Sequence, residues 1–210
     1  MKSTLMSTTA FLAFLLALLC CVSVPSAAQE FSAEMVTSDN GSQRLAKVYV
    51  GKNKMRVDPE EKGPYNGAVI VDFDTQIMDV LVPSRQMYME TKPGSGPRQR
   101  WFRFFQAINV EDACPEWRKQ ANEKGGSCQK VGDDTVNGRP SVKYEIVSSA
   151  GRKDNVWIDK TIKFPSKWQS GDNSGELRNI QEGAQPADLF AIPSGYQKMD
   201  MGGMMGRMPH

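Results

Sequence analysis

The chain has 210 residues, 40% hydrophobic and 24% charged, with 26 basic side chains against 24 acidic ones and a single histidine. This length suits one ordinary globular domain with a core of its own, and a net charge of +2 offers no clustered basic face for nucleic acid. The one histidine, His210, is the last residue, so Ser-His-Asp, Cys-His and multi-histidine zinc chemistries lack the packed imidazole they require.

Lys2 starts the chain with a positive charge, Ala10–Val24 is almost wholly apolar, and Pro25-Ser26-Ala27-Ala28 supplies small residues. This pattern predicts a secretory signal peptide cleaved after Ala28, and its apolar run is shorter than the ~20 residues needed to cross hydrocarbon. Leu18-Leu19 is too bulky for lipoprotein processing at Cys20 or Cys21. The organisation read from the sequence is a signal over residues 1–28, one domain over 29–198 and a flexible Met/Gly-rich tail over 199–210. Beyond the signal, two cysteines remain, Cys114 and Cys128. In an oxidising compartment they are expected to pair, closing a loop worth ~3 kcal/mol in the chain-entropy picture.

From Phe31 to Glu90 the sequence reads as strands. Leu45–Val50, Lys54–Asp58, Ala68–Phe73, Ile77–Val82 and Gln86–Glu90 are β-branched or aromatic runs bounded by turn residues. Their short connections predict antiparallel neighbours. Lys92–Arg100 is a loop. Trp101, Phe104, Phe105 and Ile108 then recur at helical spacing, and a second helix is expected from Cys114-Pro115 to Gly125-Gly126. Strands resume after Cys128, with a hairpin at Asn137-Gly138 and an inward face at Val142, Tyr144 and Ile146. Further strands are predicted at Asn155–Asp159, Ile162–Trp168 and Glu176–Ile180, the last with a bulge or early end. A short turn near Ala187–Phe190 precedes the tail. The fold class expected is α+β, mainly β: a strongly curved antiparallel sheet of about ten strands, an incomplete β-barrel, wrapped round one or two helices.

The aromatic helix either packs a core or lines a cavity for a lipid chain, and periodicity does not separate the two. The cavity-wall candidates are Met78, Leu81, Met87, Trp101, Phe104, Phe105, Ile108, Val156 and Ile158. Arg98, Arg100 and Arg103 are head-group candidates, because a guanidinium grips phosphate or carboxylate bidentately. Met199, Met201, Met204, Met205, Met208 and His210 form an unusual tail whose thioethers suit Cu(I). Neighbouring acidic pairs such as Asp133-Asp134 lie in turns, and no Gly-rich phosphate loop is present. No catalytic residue, enzyme activity or cofactor is expected.

Several stretches carry a resemblance: LAKVYVGKNKMRVD ending at Asp58, NVWIDKTIKFPSKWQ over 155–169, and LFAIPSGYQKM over 189–199. Over about Phe31–Met201 the chain resembles the LolA/LolB-like superfamily of exported lipoprotein and lipid carriers. The resemblance implies a periplasmic incomplete barrel whose apolar interior holds a lipid or lipoprotein acyl chain, with transient contact to a membrane or membrane proteins. The segment Cys114–Cys128 and the methionine tail are not part of that pattern. Two other functions compete: soft-metal or envelope-stress binding through the tail, and a structural envelope protein with a packed core.

Overall fold

The computed structural model describes residues 30–61, 67–91, 108–121 and 126–199. Along the first two stretches run β1 (Phe31–Asp39), β2 (Ser42–Val50), β3 (Lys54–Pro59), β4 (Val69–Asp72), β5 (Met78–Val82) and β6 (Met87–Thr91). Helix α1 (Cys114–Ala121) separates these from β7 (Ser127–Val136), β8 (Arg139–Val147), β9 (Lys153–Asp159), β10 (Pro165–Ser170), β11 (Asn173–Glu182) and β12 (Gln197–Lys198). All twelve strands share one sheet, in the order β12-β6-β5-β4-β3-β2-β1-β11-β10-β9-β8-β7. Pairing is antiparallel throughout except between β12 and β6. The outer edges of β7 and β12 do not meet, so the sheet is not closed.

Local chemistry accounts for the turns. Asn137-Gly138 turns left-handed at both residues, with φ of 49° and 77°, and Asn40-Gly41 does the same at 49° and 83°. These values suit type I′ hairpins, which asparagine and glycine adopt most cheaply. Asn179 takes φ 51° where two residues of β11 face Ala33 alone, which is the bulge expected between Leu177 and Ile180. Bulges also break register at Val131 in β7 and Ser166 in β10.

The sheet curves. Ile162 and Phe164, in the turn between β9 and β10, reach past β11 to the inner face of β1, where the Phe164 and Phe31 rings meet edge-on at 5.3 Å. One continuous cluster thus joins Phe31, Met35, Val48, Met55, Val71 and Met78 to Ile162, Phe164 and Leu177. Gly175 is required by this packing, since a Cβ there would lie 2.1 Å from the Trp168 ring on the neighbouring strand.

Three expectations are corrected. The described residues form twelve strands rather than about ten, because β1 is a full strand and the closing segment contributes β12. The strand placed at Ile162–Trp168 begins at Pro165, because Asp159 accepts from the backbone N–H groups of Thr161 and Ile162 (2.8 and 3.0 Å) and holds those residues in a turn. The sheet is also not wrapped round a central helix among the described residues. The eight-residue α1 lies to one side, with Trp117 against β8 and β9, while strand side chains and the β9–β10 turn fill the middle. Residues 101–107 of the aromatic helix, and 122–125 at the end of the second, lie outside the described residues.

After β11 the chain becomes a strap. Residues 183–199 cross to the far side of the sheet and end beside β6, where Ile192 and Tyr196 pack on Ala68, Ile70, Leu81 and Tyr88. Arg56 Nη1 donates to the Leu189 carbonyl at 2.8 Å, and Phe190 sits where a Cβ on Gly51 would be 2.9 Å away. Strands β4 and β5 are therefore covered on both faces, which explains their near-continuous apolar sequence.

Candidate binding face

The inner face of the sheet is mainly apolar from β6 to β9, and it is covered unevenly. Over β8 and β9 it is closed. Ile108, Val110, Ala113, Cys114 and Trp117 pack on Val142, Tyr144, Val156 and Ile158, and Trp117 meets Tyr144 edge-on at 5.3 Å. The Cys114–Cys128 disulfide ties the first residue of α1 to β7, with a Cα–Cα distance of 5.6 Å. Tyr144 completes the closure. Its hydroxyl donates to the Val110 carbonyl at 2.8 Å and accepts from the Ala113 N–H at 3.3 Å, and burial pushes the phenol's pKa up against the lowering effect of that N–H.

At the other end the cover thins. Val69 on β4, Val80 on β5, and Met87 and Met89 on β6 share the inner face by register, since Val80 stands opposite both Val69 and Met89, and Val82 opposite Met87. These four and Phe73 are only partly buried. Together they make an apolar strip at the lip of the sheet. Among the described residues, no group of three or more His, Cys, Asp or Glu could hold a metal ion.

Below β5 and β6, on the outer face, lies a charged patch. Lys198 Nζ pairs with Glu90 Oε1 at 2.5 Å. Asp79 Oδ1 is buried without a hydrogen-bond partner among the described residues. Burial, then repulsion from Glu90, raises the Asp79 pKa despite Lys198 and Lys54. A polar hollow of about 200 Å³ lies on the outer face of β11, β1 and β2, lined by Ser32, Glu34, Lys47, Tyr49 and Asn179 among others. There Asn179 donates to Glu34 at 2.7 Å.

The residues selected from sequence therefore divide. Met78 and Met87 lie on the inner face, Met78 fully covered and Met87 at the lip. Ile108, Val156 and Ile158 also face inward, in the closed cluster beside α1. Leu81 lies on the opposite face under the strap, because an odd separation from Met78 puts the two on different sides of a strand. Met199 is seated on the sheet, its N–H donating to the Tyr88 carbonyl at 2.8 Å. Trp101, Phe104, Phe105, Arg98, Arg100, Arg103, Met201, Met204, Met205, Met208 and His210 lie outside the described residues. Val69 and Val80 were missed, although strict alternation from Val71 and Met78 points to them.

No protein-family model matches the sequence, and no curated protein is significantly similar to it. Solved structures are similar. An uncharacterised conserved protein from Thermus thermophilus has a TM-score of 0.54 at 12% identity, with 82% of this chain and 90% of that one covered. MucB has a TM-score of 0.51 at 13% identity, covering 89% of this chain and 64% of MucB. PNGF-II has a TM-score of 0.50 at 11% identity, covering 85% of this chain and 32% of PNGF-II. The likeness is one of fold. This chain spans just under two thirds of MucB and about one third of PNGF-II. A LolA superfamily protein from Nitrosomonas europaea also matches, but at a TM-score of 0.34 and 10% identity it is too distant in shape to argue from.

Proposed function

We propose that the chain is an exported, non-enzymatic binding or carrier protein of the LolA/LolB-like kind, whose curved sheet takes a lipid or lipoprotein acyl chain along the inner faces of β4 to β6. The observation that carries this reading is the strip formed by Val69, Val80, Met87 and Met89, which stays partly exposed while the same face is sealed at Val142, Tyr144, Val156 and Ile158. An acyl chain gains ~0.8 kcal/mol per buried CH₂, and methionines give a wall that adapts to different chains. The Cys114–Cys128 disulfide fits an oxidising compartment beyond the predicted signal over residues 1–28. No helix among the described residues is long and apolar enough to cross a membrane.

Native mass spectrometry of the protein purified from its own envelope, before and after mild delipidation, tests the reading. A removable added mass is expected, and Val80→Asp should abolish it by placing a carboxylate in the strip. An unadorned mass in the unaltered protein would sink the proposal. MucB has been solved in complex with MucA, so an adduct with the mass of a polypeptide would redirect it to a protein partner.

A further inference from the structure

The strap does more than cover β4 and β5, because it delivers the first methionine of the tail to the lip of the inner face. Gln197 N–H donates to the Gln86 carbonyl at 2.9 Å, and Met199 N–H donates to the Tyr88 carbonyl at 2.8 Å. In parallel pairing this pattern sets Gln197 beside Met87 and Met199 beside Met89. The intervening Lys198 points to the outer face, where its Nζ meets Glu90. Alternation then places Met199 on the inner face, the side occupied by Met87 and Met89.

We propose that Met87, Met89 and Met199 form a binding site for a soft metal ion, with Cu(I) the ion it selects. Met87 and Met89 stand two residues apart on one strand face, and Met199 lies one strand spacing away, ~4.8 Å. The three rotatable bonds of methionine let thioethers at these positions converge. All three residues are partly buried, so an ion can reach them from solvent.

The surroundings choose the ion. On the inner face the site is flanked by Val80, Val82 and the neutral Gln197, while Glu90 and Asp79 lie on the outer face with Lys198. Without a carboxylate among the described residues on this face, hard divalent cations have no suitable donor there, whereas thioether sulfur suits Cu(I). A monovalent ion also carries the smaller desolvation cost in an apolar lip. Four further methionines follow in sequence, at 201, 204, 205 and 208. The site shares Met87 and Met89 with the strip proposed above, but its Cu(I) affinity does not require the apolar ligand.

Competition of the full chain against a chromogenic Cu(I) chelator, under reducing conditions, tests the assignment. The unaltered protein should take one tight equivalent. M87L/M89L/M199L, which conserves volume, should weaken it at least tenfold, and M201L/M204L/M205L/M208L/H210A should leave that first equivalent in place. No Cu(I) uptake, an edge variant that binds like the parent, or a tail variant that loses the first equivalent would each overturn the proposal. In case the edge variant folds poorly, ¹³C-methyl methionine spectra of the unaltered chain titrated with Ag(I) give an independent reading. The first equivalent should move the Met87, Met89 and Met199 methyl signals, and movement of the tail methionines alone would refute the site.

Discussion

Asp159 is fully buried, and its carboxylate gathers donors from two elements. It accepts from Arg139 Nε at 2.5 Å and Nη2 at 3.3 Å, and from the Thr161 and Ile162 N–H groups, while Arg139 also reaches Glu182 at 2.6 Å. One carboxylate thus ties β8 to the β9–β10 turn, the turn that throws Ile162 and Phe164 across to β1. Removing the carboxylate orphans the Thr161 and Ile162 N–H groups and leaves Arg139 with Glu182 alone, so Asp159→Ala should lose about 2–3 kcal/mol. Asp159→Asn should lose less, since it keeps an oxygen for the turn. Urea denaturation measures both, and an unchanged midpoint for the alanine variant would refute this role.

Asp79 has its Oδ1 buried without a hydrogen-bond partner among the described residues. Its pKa is raised in the folded protein, so the folded state binds the proton more tightly than the unfolded one. Stability therefore rises as pH falls through the folded-state value, and above that value the ionised group is carried at a cost. Asp79→Asn should stabilise the protein at neutral pH by on the order of 0.5 kcal/mol, modest because solvent screens part of the effect, or ~1–2 °C in Tm. Melting curves should converge with the parent near about pH 3, where the aspartate is protonated as well. A destabilised asparagine variant at neutral pH would contradict the argument.

Among the elements, α1 is the one least able to stand alone. Eight residues are too few for an independent helix in water, so the disulfide, the Trp117–Tyr144 contact and the Tyr144 hydroxyl hold it in place. Tyr144→Phe keeps the ring but leaves the Val110 carbonyl and Ala113 N–H buried without that partner. A loss of about 1–3 kcal/mol is expected, with larger amide-exchange changes at 108–117 than in β1 to β3. The two cysteines and the proline at 115 made α1 legible in the sequence. Its place on the sheet was not, because helical periodicity marks a buried stripe without naming the surface that buries it.

For the whole molecule, the decisive feature is the strap. Ile192 and Tyr196 are its apolar anchors, and replacing both with serine removes the contacts that hold residues 187–199 against β4 and β5. Hydrogen exchange should then accelerate at Gln197 and Met199 while the β8 and β9 amides keep their protection. Uniform acceleration would mean that the strap belongs to the global unfolding unit.

Most of the strands, the Asn137-Gly138 hairpin, the β11 bulge and the cysteine pairing were readable from the chain, because each depends on residues near in sequence or, for the cysteines, on redox compartment. Nothing local told that β4 and β5 are covered twice. Met78 and Leu81 looked like one wall because both are apolar, yet a strand turns such a pair to opposite faces, and only the strap explains why both are buried. The sequence alone determined a mainly β domain behind a predicted export signal, through side-chain alternation and turn chemistry. The tertiary structure decided which apolar face stays open and brought Met199 to Met87 and Met89, because β12–β6 pairing joins segments about 110 residues apart and no periodicity spans that distance.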